Sequence, residues 1–197
     1  MKTLGLETAH KYLIISLMEN NKVIAFHQEL AWKKQSEHIF PMLESIFDQV
    51  NWKPQDVQQI VITKGPGSYT GIRIAMTIAK VLATRLHIPL YTLSTLQYYA
   101  GLKDCYVVLD ARGKRVYWGY YKDGIALTDD QVSSIEDFMK IRNENILIIG
   151  DGSVLGQRDY YPSMESHFLD LESQWELVAD PHFLTPEYLK EKEAYRI

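Results

Sequence analysis

Apolar positions along the chain change their spacing in a regular way. Over the first thirty residues they form three short runs, TLGLET, KYLIISLM and KVIAFHQEL, separated by AH and ENN. Runs of this length, rich in leucine, isoleucine and valine and bounded by turn formers, predict a meander of strands. Asn20 and Asn21 suit the second hairpin, because asparagine tolerates positive φ. The period then lengthens. In SEHIFPMLESIFDQV, Ile39, Leu43, Ile46, Phe47 and Val50 fall on one helical face. Ser36 or a neighbour would cap this helix, with Pro41 tolerated in its first turn. QIVIT, Gln59 to Thr63, is a short apolar run between turn signals and reads as a buried strand. It feeds a glycine-rich loop and a second helical stretch. IPLYTL predicts the next strand, and STLQ (Ser94 to Gln97) a capping box that opens a third helix.

The resulting order, β-β-β-α-β-α-β-α over about one hundred residues, is close to the ribonuclease-H-like order. A second unit begins near Asp104. There CYVVLD and RVYWGYY flank ARGK as a hairpin, Ser133 and Glu136 make a capping box, and NILIIGDG reads as a buried strand ending in a turn. The expected division is an N-terminal subdomain over 1–102 and a smaller, reduced one over 103–197. From Gln157 onward neither period is kept until TPEYLKEKEAYRI, where Pro186 would open a terminal helix or an extended tail.

Composition narrows the class. A chain of 197 residues, 46% hydrophobic and 23% charged, is an ordinary globular protein. Cys105 is the only cysteine, which precludes an intramolecular disulfide and predicts a reducing, cytoplasmic setting. The first residues have no apolar signal region, and no apolar run approaches the ~20 residues of a bilayer span. No membrane partner is expected. A net charge of −4 argues against a protein that grips nucleic acid alone through phosphates.

The stretch TKGPGSYTGIRIAMTIAKVLA carries the sharpest candidate chemistry. A glycine-rich loop opening a helix (Gly65, Pro66, Gly67, Ser68, Tyr69, Thr70, Gly71 and then Arg73) could hold an anion on its N–H groups. Yet the spacing matches neither G-x-G-x-x-G nor G-x-x-x-x-G-K-[ST], and Pro66 removes a donor. A tight turn with positive φ at Gly65 or Gly67 and a Thr70 or Ser68 cap is the simpler reading. In the helix beyond, Arg73, Thr77, Lys80 and Thr84 form a narrow polar stripe, and almost everything else is apolar. Such a helix is expected to be covered on two sides. Ala75, Ala79 and Ala83 recur every four residues as a flat ridge. The expected partner interface is therefore Ile74, Ala75, Ile78, Ala79, Leu82 and Ala83, with Ile39, Phe40 and Leu43 from the helix before. On this reading Ala79→Arg would prevent pairing and leave the fold intact.

Catalytic alternatives find little support in the residues. Histidines 10, 27, 38, 87, 167 and 182 include no pair at metal-ligand spacing, and each reads as a surface or loop residue. PGSYTG is not a nucleophile elbow, and Cys105 opens a predicted strand. Asp110 and Arg112 would tie a hairpin turn, although Arg112 could contact a partner. Tyr98, Tyr99, Tyr117, Trp118, Tyr120 and Tyr121 read as packing. Between the first two strands, LETAHKY lacks the glycine of a phosphate hairpin. Glu7 and Thr8 there could at most be a vestigial nucleotide site that orders a metal-bound water, and no metal site is expected.

GPGSYTGIRIAMTIAK resembles the signature of the TsaB (YeaZ) family. LGLETA, QSEHIFPML, LSTL, DARGKRVY and TPEYLK resemble further family segments in the right order. Glu7 stands where the family usually has aspartate, and Gln35 where histidine is common. The resemblance implies a ribonuclease-H-like α/β fold of the sugar-kinase/Hsp70/actin (ASKHA) superfamily, with mixed sheets and two subdomains. It implies a non-catalytic subunit in tRNA threonylcarbamoyladenosine modification that pairs with a TsaD-type paralogue through its two N-terminal helices. A TsaE-type ATPase as further partner, a homodimer through the same surface, and tRNA contact only through the complex are also implied. No cofactor is expected for the chain alone, with ATP or ADP only at the joint between subunits. The rivals are an ASKHA ATPase or kinase with a degenerate phosphate hairpin and, less well supported, a metalloprotease.

Overall fold

A computed structural model describes residues 1–189. The opening meander forms as its pattern predicts: β1 (Lys2–Glu7), β2 (Tyr12–Glu19) and β3 (Lys22–Leu30) pair antiparallel. Asn20 and Asn21 both take positive φ in the turn between β2 and β3. After α1 (Gln35–Gln49), β4 (Gln59–Thr63) enters parallel to β1, with Leu4 opposite Ile60 and Leu6 opposite Ile62. The glycine loop and α2 (Tyr69–Leu86) lead to β5 (Leu90–Leu93), parallel to β4, and α3 (Thr95–Ala100) closes the first unit.

The chain then enters a second sheet. β6 (Cys105–Asp110) pairs antiparallel with β7 (Arg115–Lys122), which also pairs with β8 (Ile125–Ala126) and β9 (Gln131–Ser134). α4 (Ile135–Ile141) leads to β10 (Leu147–Gly150), parallel to β6. Two later elements, α5 (His167–Asp170) and β11 (Glu176–Leu177), are too short to impose a period on the sequence.

Strand alternation builds three apolar cores. Leu4, Leu6, Leu13, Ile15, Ile60 and Ile62 face α1 and α2 from one side of the first sheet. From its other side Ile14, Met18, Val61 and Leu93 meet α3, α5 and the near face of the second sheet (Cys105, Val107, Leu109, Ile149). The far face, with Tyr106, Val108 and Trp118, is covered by Phe138 of α4. The layers therefore run α1 and α2, first sheet, α3 and α5, second sheet, α4. The tyrosines and tryptophan between residues 98 and 121 are mostly wall material: Tyr98, Tyr99, Tyr117, Trp118 and Tyr121 are buried.

Several local expectations need correcting. Pro41 lies inside α1 and not in its first turn. The helix starts earlier than expected, at Gln35, after Lys34, and no side chain caps it, so Ser36 is already helical. Ser134, one residue beyond the expected Ser133, caps α4 by accepting from the Asp137 N–H at 3.0 Å. Ser133 instead accepts from the Trp118 indole.

The last described stretch does not stay with the second subdomain. β11 pairs antiparallel with β5, so the first sheet runs β11-β5-β4-β1-β2-β3. Farther on, Leu184 and Tyr188 pack against the first core, and the Glu187 N–H donates to Lys64 O. Within the stretch expected to form the second subdomain, Glu176, Leu177, Leu184, Glu187 and Tyr188 thus contact the first unit. Residues 184–188 carry no regular secondary structure, and the rest of the expected terminal helix or tail, 190–197, lies outside the described residues. Among the described residues no helix is long and apolar enough to cross a membrane.

Candidate partner-binding face

The glycine loop is a packing device. Ser68 caps α2 by accepting from the Gly71 N–H, and the Ser68 N–H donates to Ala9 O at 2.6 Å. A Cβ on Gly67 would sit 2.3 Å from Ala9 O, and one on Gly71 2.2 Å from Thr8 O. Backbone oxygens of the β1–β2 hairpin therefore press on the mouth of α2, where a phosphate would need N–H groups. Positive φ falls at Gly65, which satisfies the turn. Gly71→Ala is expected to destabilise the protein by at least about 3 kcal/mol, because the oxygen it meets is backbone and cannot rotate away. A urea denaturation midpoint equal to that of the unaltered protein would contradict this.

Glu7 and Thr8 are sealed into the same wall, with no exposed surface. The Thr8 hydroxyl donates to Gly71 O at 2.7 Å and accepts from the Ala75 N–H at 3.2 Å, tying α2 to the hairpin. The Glu7 carboxyl accepts from the Ala9 N–H at 2.5 Å and from the Tyr99 hydroxyl at 3.2 Å. Burial pushes its pKa up to about 8, against the pull of these hydrogen bonds. Neither side chain faces an open cleft, which corrects the expectation that they could order a metal-bound water. Among the described residues no group of three His, Cys, Asp or Glu side chains is placed to hold a metal.

One histidine differs from expectation. His167 is buried in α5, against Tyr98 O, and not at the surface or in a loop; His10 sits in the β1–β2 loop, as allowed, but buried against Asp151. Arg112 closes its hairpin turn with positive φ and donates its N–H to Asp110 at 2.7 Å. Its guanidinium lies 6.0 Å from the Trp32 ring.

The expected helix face divides into two. Ile39 and Leu43 of α1 and Ala75, Ala79 and Ala83 of α2 are buried against the first sheet, so the flat alanine ridge serves this chain's own core. Small side chains there let α2 lie close on β4. The outward side holds Phe40 and Val81, 64% and 62% exposed, with Ile74, Ile78 and Leu82 half-buried between. Phe40, Leu43, Phe47, Trp52, Ile78, Val81 and Leu82 line a groove of about 560 Å³ between the two helices, with Glu44, Asp48, Lys53, Pro54 and Thr77 around them. Val81 lay outside the expected set, although it shares an apolar line with Ile74 and Ile78 of that set. That position, four residues after Thr77 and next to Lys80, marks it as an apolar side chain on a wet face.

The polar stripe of α2 has work within the chain. Lys80 donates to His182 O and Leu184 O, both at 3.0 Å. Arg73 donates to the Tyr188 hydroxyl at 3.0 Å and lies over the Tyr69 ring, which itself stacks on Tyr188. Residues 182–188 thus clamp one flank of α2, and among the described residues the Phe40–Val81 flank is open.

A first sheet of this order, joined through α3 to a second mixed sheet, defines a two-sheet protein of ribonuclease-H-like fold. Comparisons with known proteins agree. YeaZ from Pseudomonas aeruginosa superimposes with a TM-score of 0.76 at 22% identity, over 95% of this chain and 99% of that one. A family model described as TsaD, tRNA N6-adenosine threonylcarbamoyltransferase, matches residues 20–166. The chain is 32% identical to the tRNA threonylcarbamoyladenosine biosynthesis protein TsaB of Bacillus subtilis, over 98% of its own length and 96% of that protein's. It is 31% identical to Escherichia coli TsaB over 62% of this chain and 55% of the relative. The chain belongs to the TsaB (YeaZ) family.

Proposed function

We propose that this protein is a non-catalytic subunit in tRNA threonylcarbamoyladenosine biosynthesis, docking through its α1–α2 groove onto a TsaD-type paralogue that performs the transfer. The observation that carries the reading is the apolar flank, Phe40 and Val81 over the groove, exposed among the described residues. Apolar patches of this kind, rimmed by polar residues, mark interaction sites. The packed hairpin beneath α2 supports placing the chemistry in the partner, since the chain's own backbone presses on the approach a phosphate would use. The names of the relatives supply the pathway.

In this reading two copies pair through the same face when the paralogue is absent, and a TsaE-type ATPase joins the assembly. tRNA is engaged only through the complex, and ATP or ADP binds only at the joint between subunits. The acidic net charge of −4 is consistent with a subunit that leaves tRNA contact to others.

Light scattering on a sizing column tests this, for the protein alone and mixed with a TsaD-type paralogue. A heterodimer replacing the free species is expected. Val81→Arg, combined with Phe40→Glu, is expected to abolish that species while the circular dichroism spectrum stays unchanged, because both side chains already face water. A monomer in both runs, or a heterodimer indifferent to these substitutions, overturns the reading.

A further inference from the structure

Asp151 follows β10 into the joint between the two sheets, with 2% of its surface exposed. Four donors from separate parts of the chain converge on its carboxylate. From the β1–β2 hairpin come the Lys11 ammonium, in contact with Oδ1, and His10 Nε2, 3.0 Å from Oδ2. The Asp110 N–H, at the end of β6, donates to Oδ2 at 2.8 Å, and the Tyr161 hydroxyl donates to Oδ1 at 2.5 Å. Lys11 is held from its other side by Asp159 at 3.0 Å, which in turn accepts from the Ser153 N–H at 2.8 Å.

The turn is shaped to deliver this one side chain. A Cβ on Gly150 would come within 2.2 Å of Val108 O, and one on Gly152 within 2.4 Å of Arg158 O. Burial works against an ionised Asp151, yet His10, the Asp110 N–H and Lys11 outweigh it and hold the carboxyl well below the usual carboxylate range.

An ammonium, an imidazole, a backbone N–H and a hydroxyl around one point form a donor set for an oxyanion, whether carboxylate or phosphate. We infer that the joint between the sheets is an oxyanion site whose occupant is the chain's own Asp151. A tethered carboxylate competes at high effective concentration with any free anion. It fills the cradle permanently, links the β1–β2 hairpin to the second sheet, and excludes free oxyanions from the joint. This holds whether or not the protein docks on a paralogue, since none of these residues lines the α1–α2 groove.

Asp151→Ala empties the cradle, and sodium formate, compared with sodium chloride at equal ionic strength, is the probe. The variant is expected to melt at lower temperature than the unaltered protein and to regain part of the loss saturably with formate. The unaltered protein should respond to formate no more than to chloride. Adding Lys11→Met should remove the response. A variant whose melting temperature follows formate no more than chloride overturns the inference. Should Asp151→Ala fail to fold, Asp151→Asn keeps the side chain's shape and allows a double-mutant cycle with Lys11→Met. Asp151→Asn is expected to lower the folding equilibrium constant by at least about tenfold with Lys11 present, and far less with Met at that position. Equal losses in the two backgrounds overturn the inference.

Discussion

Ala79→Arg is expected to unfold the protein, not to release a partner from an intact fold. Ala79 has no exposed surface and belongs to the core formed with Leu4, Leu6, Ile60 and Ile62. A guanidinium placed there must displace α2 from the first sheet or lose its hydration among aliphatic side chains. Either route costs more than about 4 kcal/mol, a large part of the ~5–15 kcal/mol that holds a typical domain together. Loss of the helical circular dichroism signal, or a urea midpoint shifted far downward, is the expected result. A soluble variant with an unchanged midpoint would show that the ridge faces outward after all. Val81→Arg is the control: two residues along the same helix it meets water, and its midpoint should stay within about 0.5 kcal/mol of the original.

Glu7→Gln is expected to stabilise the protein at neutral pH and to flatten part of its pH profile. The folded state holds the Glu7 proton up to about pH 8, whereas an unburied carboxyl releases it near 4.5. Because the pKa is raised on folding, the unfolded state binds fewer protons across this window, so stability falls as pH climbs from about 4.5 to about 8 and levels off above. The groups around Glu7 are the Ala9 and His10 backbone N–H groups and the Tyr99 hydroxyl, with Tyr98 nearby, so no cation offsets the buried charge. A glutamine cannot ionise. At pH 7 it should gain on the order of 3 kcal/mol, and below pH 4.5 the two proteins should be nearly equal. Asp130, whose pKa is also raised by burial, to about 6, titrates in both proteins and drops out of the difference. Parallel stability curves between pH 5 and 8 would rule out a neutral buried Glu7.

Much of the first sheet was legible because local and global signals agree there. The strand runs, the Asn20–Asn21 turn and the Ser94 and Ser68 caps each announce themselves within a few residues. What periodicity could not decide was which apolar face of α2 looks inward. Small residues suit a close approach to a sheet as well as to another helix, and the Ala75–Ala79–Ala83 ridge took the sheet. Trp52, which helps line the groove, sits in a connection that carries no period. The Asp151 cradle was beyond reach for another reason: His10, Lys11, Asp110 and Tyr161 meet it only through tertiary folding. Pro41 marks the opposite failure, a strong local rule overridden by a helix anchored through Ile39, Leu43, Ile46 and Phe47.

The pairing of β11 with β5 gives the molecule a timetable during synthesis. Leaving the ribosome, the first sheet can assemble β1 through β5 early, but one edge of β5 keeps its backbone groups unpaired until Glu176 and Leu177 emerge. Lys64 waits longer still for Glu187, and α2 for the carbonyls of His182 and Leu184. The α1–α2 groove, built wholly from residues before position 83, is complete long before the clamp beside it. A nascent chain can therefore offer its docking surface while the far border of the same sheet is still open to misassociation, and residues 176–187 act as its closing seam.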